Sequence, residues 1–329
     1  MFHHSPLRVA TLIALLAGMI AATLTAGFFG LEIIAEILVL AILVIALDLV
    51  AGFGGMVSLA HGALLGLGAY AYAVLMAEAG LSAAPAMALA ILATGATAWI
   101  VGAICSGSLG IYFIMVTLAF GQMAYSFVFE SRFLGGDDGM GGISRPDLSA
   151  IGVNLDDSIS FAFYALACMI AAYAFAAFVL RSGIGRALVG LRENEQRMRA
   201  LGMTTWRVKA HAFGLSGLIA GLAGVVSAQH VLYISPGLLS WTVSGEALVV
   251  VILGGLGTLV GPIVGAIAFV ILKHELSALT PYWHLFVGII LIAVVMSRAN
   301  GIFGFVEARI AARRRPGAIP LAATEKRDA

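Results

Sequence analysis

Asp48, His61 and Glu246 are the side chains best placed to do chemistry, because each is an ionisable group set in a long apolar run. At membrane depth such a group is costly and marks a proton relay, a substrate contact or a water-lined path. Glu32, Glu36, His211 and His230 have similar chemistry but fall near the ends of their runs, where water reaches them and a solvated position is the plainer reading. From sequence, the whole set forms neither opposite-charge pairs nor a ladder of carboxylates, which argues modestly against an ion-coupled carrier.

Enzyme signatures are missing. Cys105 and Cys168 lie within or at the ends of apolar runs and suggest neither a disulfide framework nor a metal site. No His/Cys/carboxylate set has zinc spacing. The chain has no G-x-x-x-x-G-K-[ST] loop, so it is not expected to hydrolyse ATP itself. Gly255-Leu256-Gly257 joins two apolar runs with no acidic residue to follow, unlike a dinucleotide site. Asp137-Asp138-Gly139 lacks the spaced ligands and terminal Glu of a calcium loop. No catalytic, cofactor-binding or metal residue is assigned, and no nucleic-acid partner. What remains is a pathway with docking surfaces.

The elements that carry these residues are membrane spans. The 329 residues are 61% hydrophobic and 11% charged, with a mean hydropathy of +1.06, too apolar for a soluble domain. Ten stretches approach the roughly 20 residues that cross a bilayer: 9–29, 31–51, 57–77, 84–105, 111–130, 159–180, 210–233, 237–256, 258–275 and 282–298. Threading them alternately puts all of the 18 Lys and Arg residues except Arg132, Arg145 and Lys273 on one side. Basic residues stay cytoplasmic, so both termini are expected inside a bacterial inner membrane. The fold class is an all-α polytopic bundle. Stretch 237–256 is either a full crossing or a re-entrant half-helix, since Gly254-Gly255-Leu256-Gly257 interrupts it. The first stretch is read as a retained helix; a signal peptide ending near Ala26 is the alternative.

Residues 1–308 form the membrane domain, and the tail 309–329, with no periodicity, is expected to be disordered, its Arg313–Arg315 cluster lying at anionic headgroups. Loop 131–158, Gly- and Asp-rich, faces outward. Loop 181–209 is basic. Leu188, Leu191, Met198 and Leu201 are spaced to share one helical face, with Gly185 before the helix and Gly202 as its C-cap. The loop is thus expected to hold one short amphipathic helix on the cytoplasmic surface. Forty glycines call for tight helix packing, and such thin walls are also suited to lining a path. Gly54-Gly55-Met56-Val57-Ser58-Leu59 echoes Gly254-Gly255-Leu256-Gly257-Thr258-Leu259, a weak hint of duplication.

Four motifs in register resemble branched-chain amino-acid ABC transporter permeases. They are Leu47 to Ala63 with Gly66-Leu67-Gly68-Ala69-Tyr70; Gly110 to Phe120 with Gly136-Asp137-Asp138-Gly139; Gly185-Arg186-Ala187-Leu188 through Arg192-Glu193-Asn194-Glu195 to Ala200-Leu201-Gly202; and Leu253 to Pro262. The second is similar to the LivM-type subunit in particular. The departures are Asp48, where the family is expected to carry Asn, and Ala60, where Gly is usual. The resemblance, over roughly 35–300, implies a permease paired with a second permease subunit, two cytoplasmic ATPase subunits that bind the ATP, and a periplasmic substrate-binding protein. It implies ATPase coupling through Gly185, Arg186, Leu188, Leu191, Arg192, Glu193, Asn194, Glu195, Ala200, Leu201 and Gly202. Candidate path residues are Asp48, Ser58, His61, Gly62, Glu246, Gly254, Gly255 and Thr258. A stand-alone channel or ion-coupled carrier is the alternative. The substrate class stays open among leucine-like amino acids, urea, amides and aromatic acids.

Overall fold

The computed structural model describes residues 6–108, 110–147, 154–296, 301 and 304. The helices are α1 (Pro6–Thr25), α2 (Phe28–Leu47), α3 (His61–Ala77), α4 (Ala83–Cys105), α5 (Ile111–Glu130), α6 (Ser158–Arg181), α7 (Gly183–Glu193), α8 (Glu195–Ala200), α9 (Thr205–Val231), α10 (Trp241–Gly254), α11 (Val260–Leu279) and α12 (Trp283–Met296). Two two-residue strands, β1 (Met140–Gly141) and β2 (Tyr233–Ile234), pair antiparallel. Among the described residues, six helical stretches are long and apolar enough to cross a membrane: Phe28–Gly52, Ala83–Cys105, Ile111–Glu130, Ser158–Arg181, Thr205–Val231 and Val260–Leu279. Shorter apolar helices cover Ala10–Thr25, His61–Ala77 and Trp241–Gly254. The basic tail and Arg298 lie outside the described residues.

Apart from Glu32 and Glu36 in its first half, α2 is apolar on every face, and Ala41 to Val50 is buried throughout, as expected of a helix surrounded by others. α9 is the second central element and packs on α2, α3 and α4. Lipid supplies no hydrophobic drive between spans, so close van der Waals contact must hold them. Gly221 of α9 is the clearest instance. A Cβ there would lie 2.9 Å from the Thr94 Cβ of α4, and a Cβ on Gly68 of α3 would reach its Cα at 2.7 Å. Three helices meet where one side chain is missing.

Each of the ten sequence stretches holds one helix, with two changes that matter. The third begins at His61 and not at 57, because the chain leaves α2 through a π-helical turn, Asp48–Gly52, and then runs non-helically to Ala60. The eighth is a 14-residue helix entered through a 3-10 turn at Pro236–Leu239 and stopped by Gly254-Gly255. The basic loop also differs. It forms two helices, because Asn194 adopts extended backbone (φ −164°) and caps α8 with its own Oδ1, which accepts from Arg197 N at 2.9 Å. Gly185 lies inside α7, where Leu188 and Leu191 turn into the core, while Leu201 is 72% exposed. The single shared face is therefore wrong. Gly202, at φ +79°, does follow the end of α8.

Candidate functional site

The residues at the α7 end of the bundle form one connected junction. Asp48 is fully buried at the start of the π-helical turn. Its Oδ1 accepts from Gly257 N at 2.6 Å and its Oδ2 from Leu259 N at 3.0 Å. These two N–H groups belong to the turn between α10 and α11. In that turn Gly257 has φ +77°, a conformation glycine adopts freely, and Leu259 has φ +59°, which is strained for a leucine. Thr258 Oγ1 closes the same turn by donating to Gly255 O at 2.9 Å and accepting from Gly261 N at 2.9 Å. The buried carboxylate and this hydroxyl hold the strained turn. The two glycine turns that echo each other in sequence thus lie at one end, bridged by Asp48.

Arg192 of α7 joins this junction. Its guanidinium donates to the carbonyl of Gly52, at the end of the π-helical turn. One turn of chain further on, Glu195 accepts from Lys209 at 2.8 Å and from Arg199 at 2.8 Å. Lys209 is buried at the base of α9 and also donates to Ser106 O at 3.1 Å, where α4 ends. Burial disfavours the Glu195 carboxylate, but its hydrogen bonds and charge contacts with Lys209 and Arg199 outweigh this and hold it below the ordinary 4.5. A cavity of about 120 Å³ lies between these groups, bordered by Gly54, Met56, Phe113, Leu191, Arg192 and Lys209.

Ser58, His61 and Gly62 lie in a buried layer further into the bundle. Ser58 Oγ accepts from Ala60 N at 3.1 Å, and Leu59 N donates to Thr117 of α5 at 3.2 Å. Gly62 N donates to Ser244 of α10 at 2.7 Å. Ser216 of α9 gives its proton to Ala46 O at 2.6 Å, so it must accept from His61 Nε2–H at 2.8 Å. His61 is therefore the Nε2–H tautomer, and its buried Nδ1 has no partner among the described residues. His61 and Gly62 tie α3 to α9 and α10, and Leu59 N ties the segment before α3 to α5. Glu246 is half-buried with no hydrogen-bond or ion-pair partner among the described residues. Gly254 and Gly255 end α10 within the junction.

At the opposite end the structure pairs groups that the sequence leaves apart. His230 lies 2.8 Å from Glu32, and Glu36 meets both Lys273 at 2.9 Å and His274 at 2.8 Å. The expected absence of opposite-charge pairs does not hold. Arg145, from the loop after α5, donates to the carbonyls of Gln229, His230 and Leu155 and lies 4.4 Å over the Phe161 ring. β1 pairs with β2, and the Tyr233 hydroxyl donates to Asp138 O. That loop is fastened to the segment that leads into α10. Arg145, a rare basic residue on its side, was the only sequence signal for it. Met203 and Trp206 (43% exposed), which sequence reasoning missed, join Leu201 in an exposed apolar trio beside α8.

Comparison with known proteins agrees with this architecture. The permease protein LivM of a high-affinity branched-chain amino acid transport system is 27% identical over 270 residues in Salmonella typhimurium, covering 75% of this chain and 64% of the relative. The LivM protein of Escherichia coli K12 matches to the same extent. LsrC, a permease protein of the autoinducer 2 import system in Yersinia enterocolitica, is 28% identical over 137 residues, 39% of this chain and 38% of that protein. The chain thus spans about 64% of the length of the LivM relatives it matches. No solved structure matches it. The model of the family described as branched-chain amino acid transport system / permease component matches residues 30–295, so this multi-pass bacterial inner-membrane protein belongs to that family.

Proposed function

We propose that this chain is a permease subunit of an ATP-binding-cassette importer, forming the path for branched-chain or related hydrophobic amino acids while separate subunits hydrolyse ATP. The observation that carries this reading is the bond from Arg192 to Gly52, beside the turn that Asp48 grips. Movement of α7 is thereby delivered to the ends of α2, α10 and α11 together. The basic residues favour a cytoplasmic α7 and α8, with ten crossings, both termini inside, and α10 as a half-length crossing.

The partners on this reading are a second permease subunit, two ATPase subunits under α7 and α8, and a periplasmic binding protein. Leu188 and Leu191 serve the ATPase contact indirectly, by seating α7 on the bundle. The direct surface is Arg186, Glu193, Leu201, Met203 and Trp206, all exposed. Purification from native membranes should bring an ATPase subunit with the chain, and Trp206→Asp with Leu201→Asp should release it. Labelling of a cysteine placed at Glu193 from the periplasmic side would overturn the reading. The acid–histidine pairs at Glu32 and Glu36 favour a second reading, an ion-coupled carrier. That carrier would take up substrate alone in liposomes, driven by a gradient without ATP.

A further inference from the structure

α4, α6 and α9 border a groove of about 270 Å³ whose lining is wholly apolar, including Leu92, Ala171, Ala172, Phe175, Leu218 and Leu222. Its origin lies in the packing. α9 presses on α4 through Gly221, whereas α6 leans chiefly on α2 and presents here the methyl groups of Ala171 and Ala172, with the Phe175 ring beside them. A trough is left over α9. These residues fall within about 8 Å of the midpoints of all three spans, at 1.5 Å per residue. That depth lies inside a hydrocarbon layer about 30 Å thick.

Water does not fill an apolar recess, and at this depth the medium facing the recess is lipid chain. We propose that the groove is a binding site for a single acyl chain of a membrane phospholipid, seated between α6 and α9. Because lipid tails are as apolar as leucine, the chain gains no hydrophobic transfer energy on entry. It gains dispersion contacts with a preformed wall, so the site shows itself as slower exchange than at the open lipid surface. α6 and α9 are also the two helices that carry α7 and α8 between them, so the bound chain lies where those two arms diverge.

The test uses the full chain in nanodiscs of phosphatidylethanolamine and phosphatidylglycerol doped with a phospholipid bearing a mid-chain diazirine. After photolysis, peptides are mapped by mass spectrometry. Labelling at Leu92, Phe175 and Leu222 should exceed, several-fold, that at Met123 and Phe127, which are highly exposed at similar depth on α5. Ala171→Phe, made at an exposed position, should abolish the excess and leave α5 labelling unchanged; Leu92→Trp is the substitute if that variant fails to fold. Equal labelling of groove and α5, or groove labelling indifferent to both fillings, would overturn the site.

Discussion

Removing the Glu195 carboxylate while keeping its shape, as Glu195→Gln, strands the Lys209 ammonium, which is only 4% exposed. Breaking a buried ion pair from one side costs about 3–5 kcal/mol. Here Lys209 keeps Ser106 O, and Glu195 at 13% exposure retains some water, so the expected cost is about 2 kcal/mol. Arg199, at 57% exposure, contributes only a surface bond, and Arg199→Gln should cost less than about 1 kcal/mol. Hydrogen exchange of α8 amides reports the difference: 2 kcal/mol corresponds to roughly 30-fold faster opening. The double change Glu195→Gln with Lys209→Met should recover most of the loss, since no orphan charge remains. The pH dependence has a definite sign. Glu195 has a lowered folded value, so its stabilisation is complete above the ordinary 4.5 and disappears as pH falls through the folded value. Equal exchange in Glu195→Gln and Arg199→Gln would refute the reasoning.

Arg145→Ala removes the donor for three carbonyls and should speed exchange across 132–147 and 232–240 while leaving α7 unchanged. Gly257→Val places a branched side chain at φ +77° beside Arg192, and should lower thermal stability in detergent by more than about 1 kcal/mol. Ser216→Ala deprives His61 Nε2–H of its acceptor in a fully buried layer, costing about 1–3 kcal/mol; Ser216→Thr, which restores a hydroxyl, should recover part of it in the same melting assay.

The helix pattern was legible because long apolar runs have few other uses, although among the described residues only six helical stretches reach membrane-crossing length and hydropathy. Asp48 and His61, each set in a long apolar run, are fully buried, whereas Glu246, read the same way from sequence, is only half-buried. The register of the basic loop was not legible. Leu188 and Leu201 fit a single helical face until Asn194 breaks the helix, and an asparagine can stand within a helix or cap one. The Glu36 pairs were hidden because Lys273 and His274 are 237 and 238 residues away in sequence. Proximity of that kind belongs to packing and leaves no local spacing to read.

α10 is fastened at both tips, above through the β1–β2 ladder and the turn at Pro236, below through the Asp48 clasp on Gly257 and Leu259. A short rod pinned this way cannot shift at one tip without being felt at the other. Any binding event at the β1–β2 tip that favours one tilt must, by reciprocity, be favoured in turn by whatever imposes that tilt at the Asp48 tip.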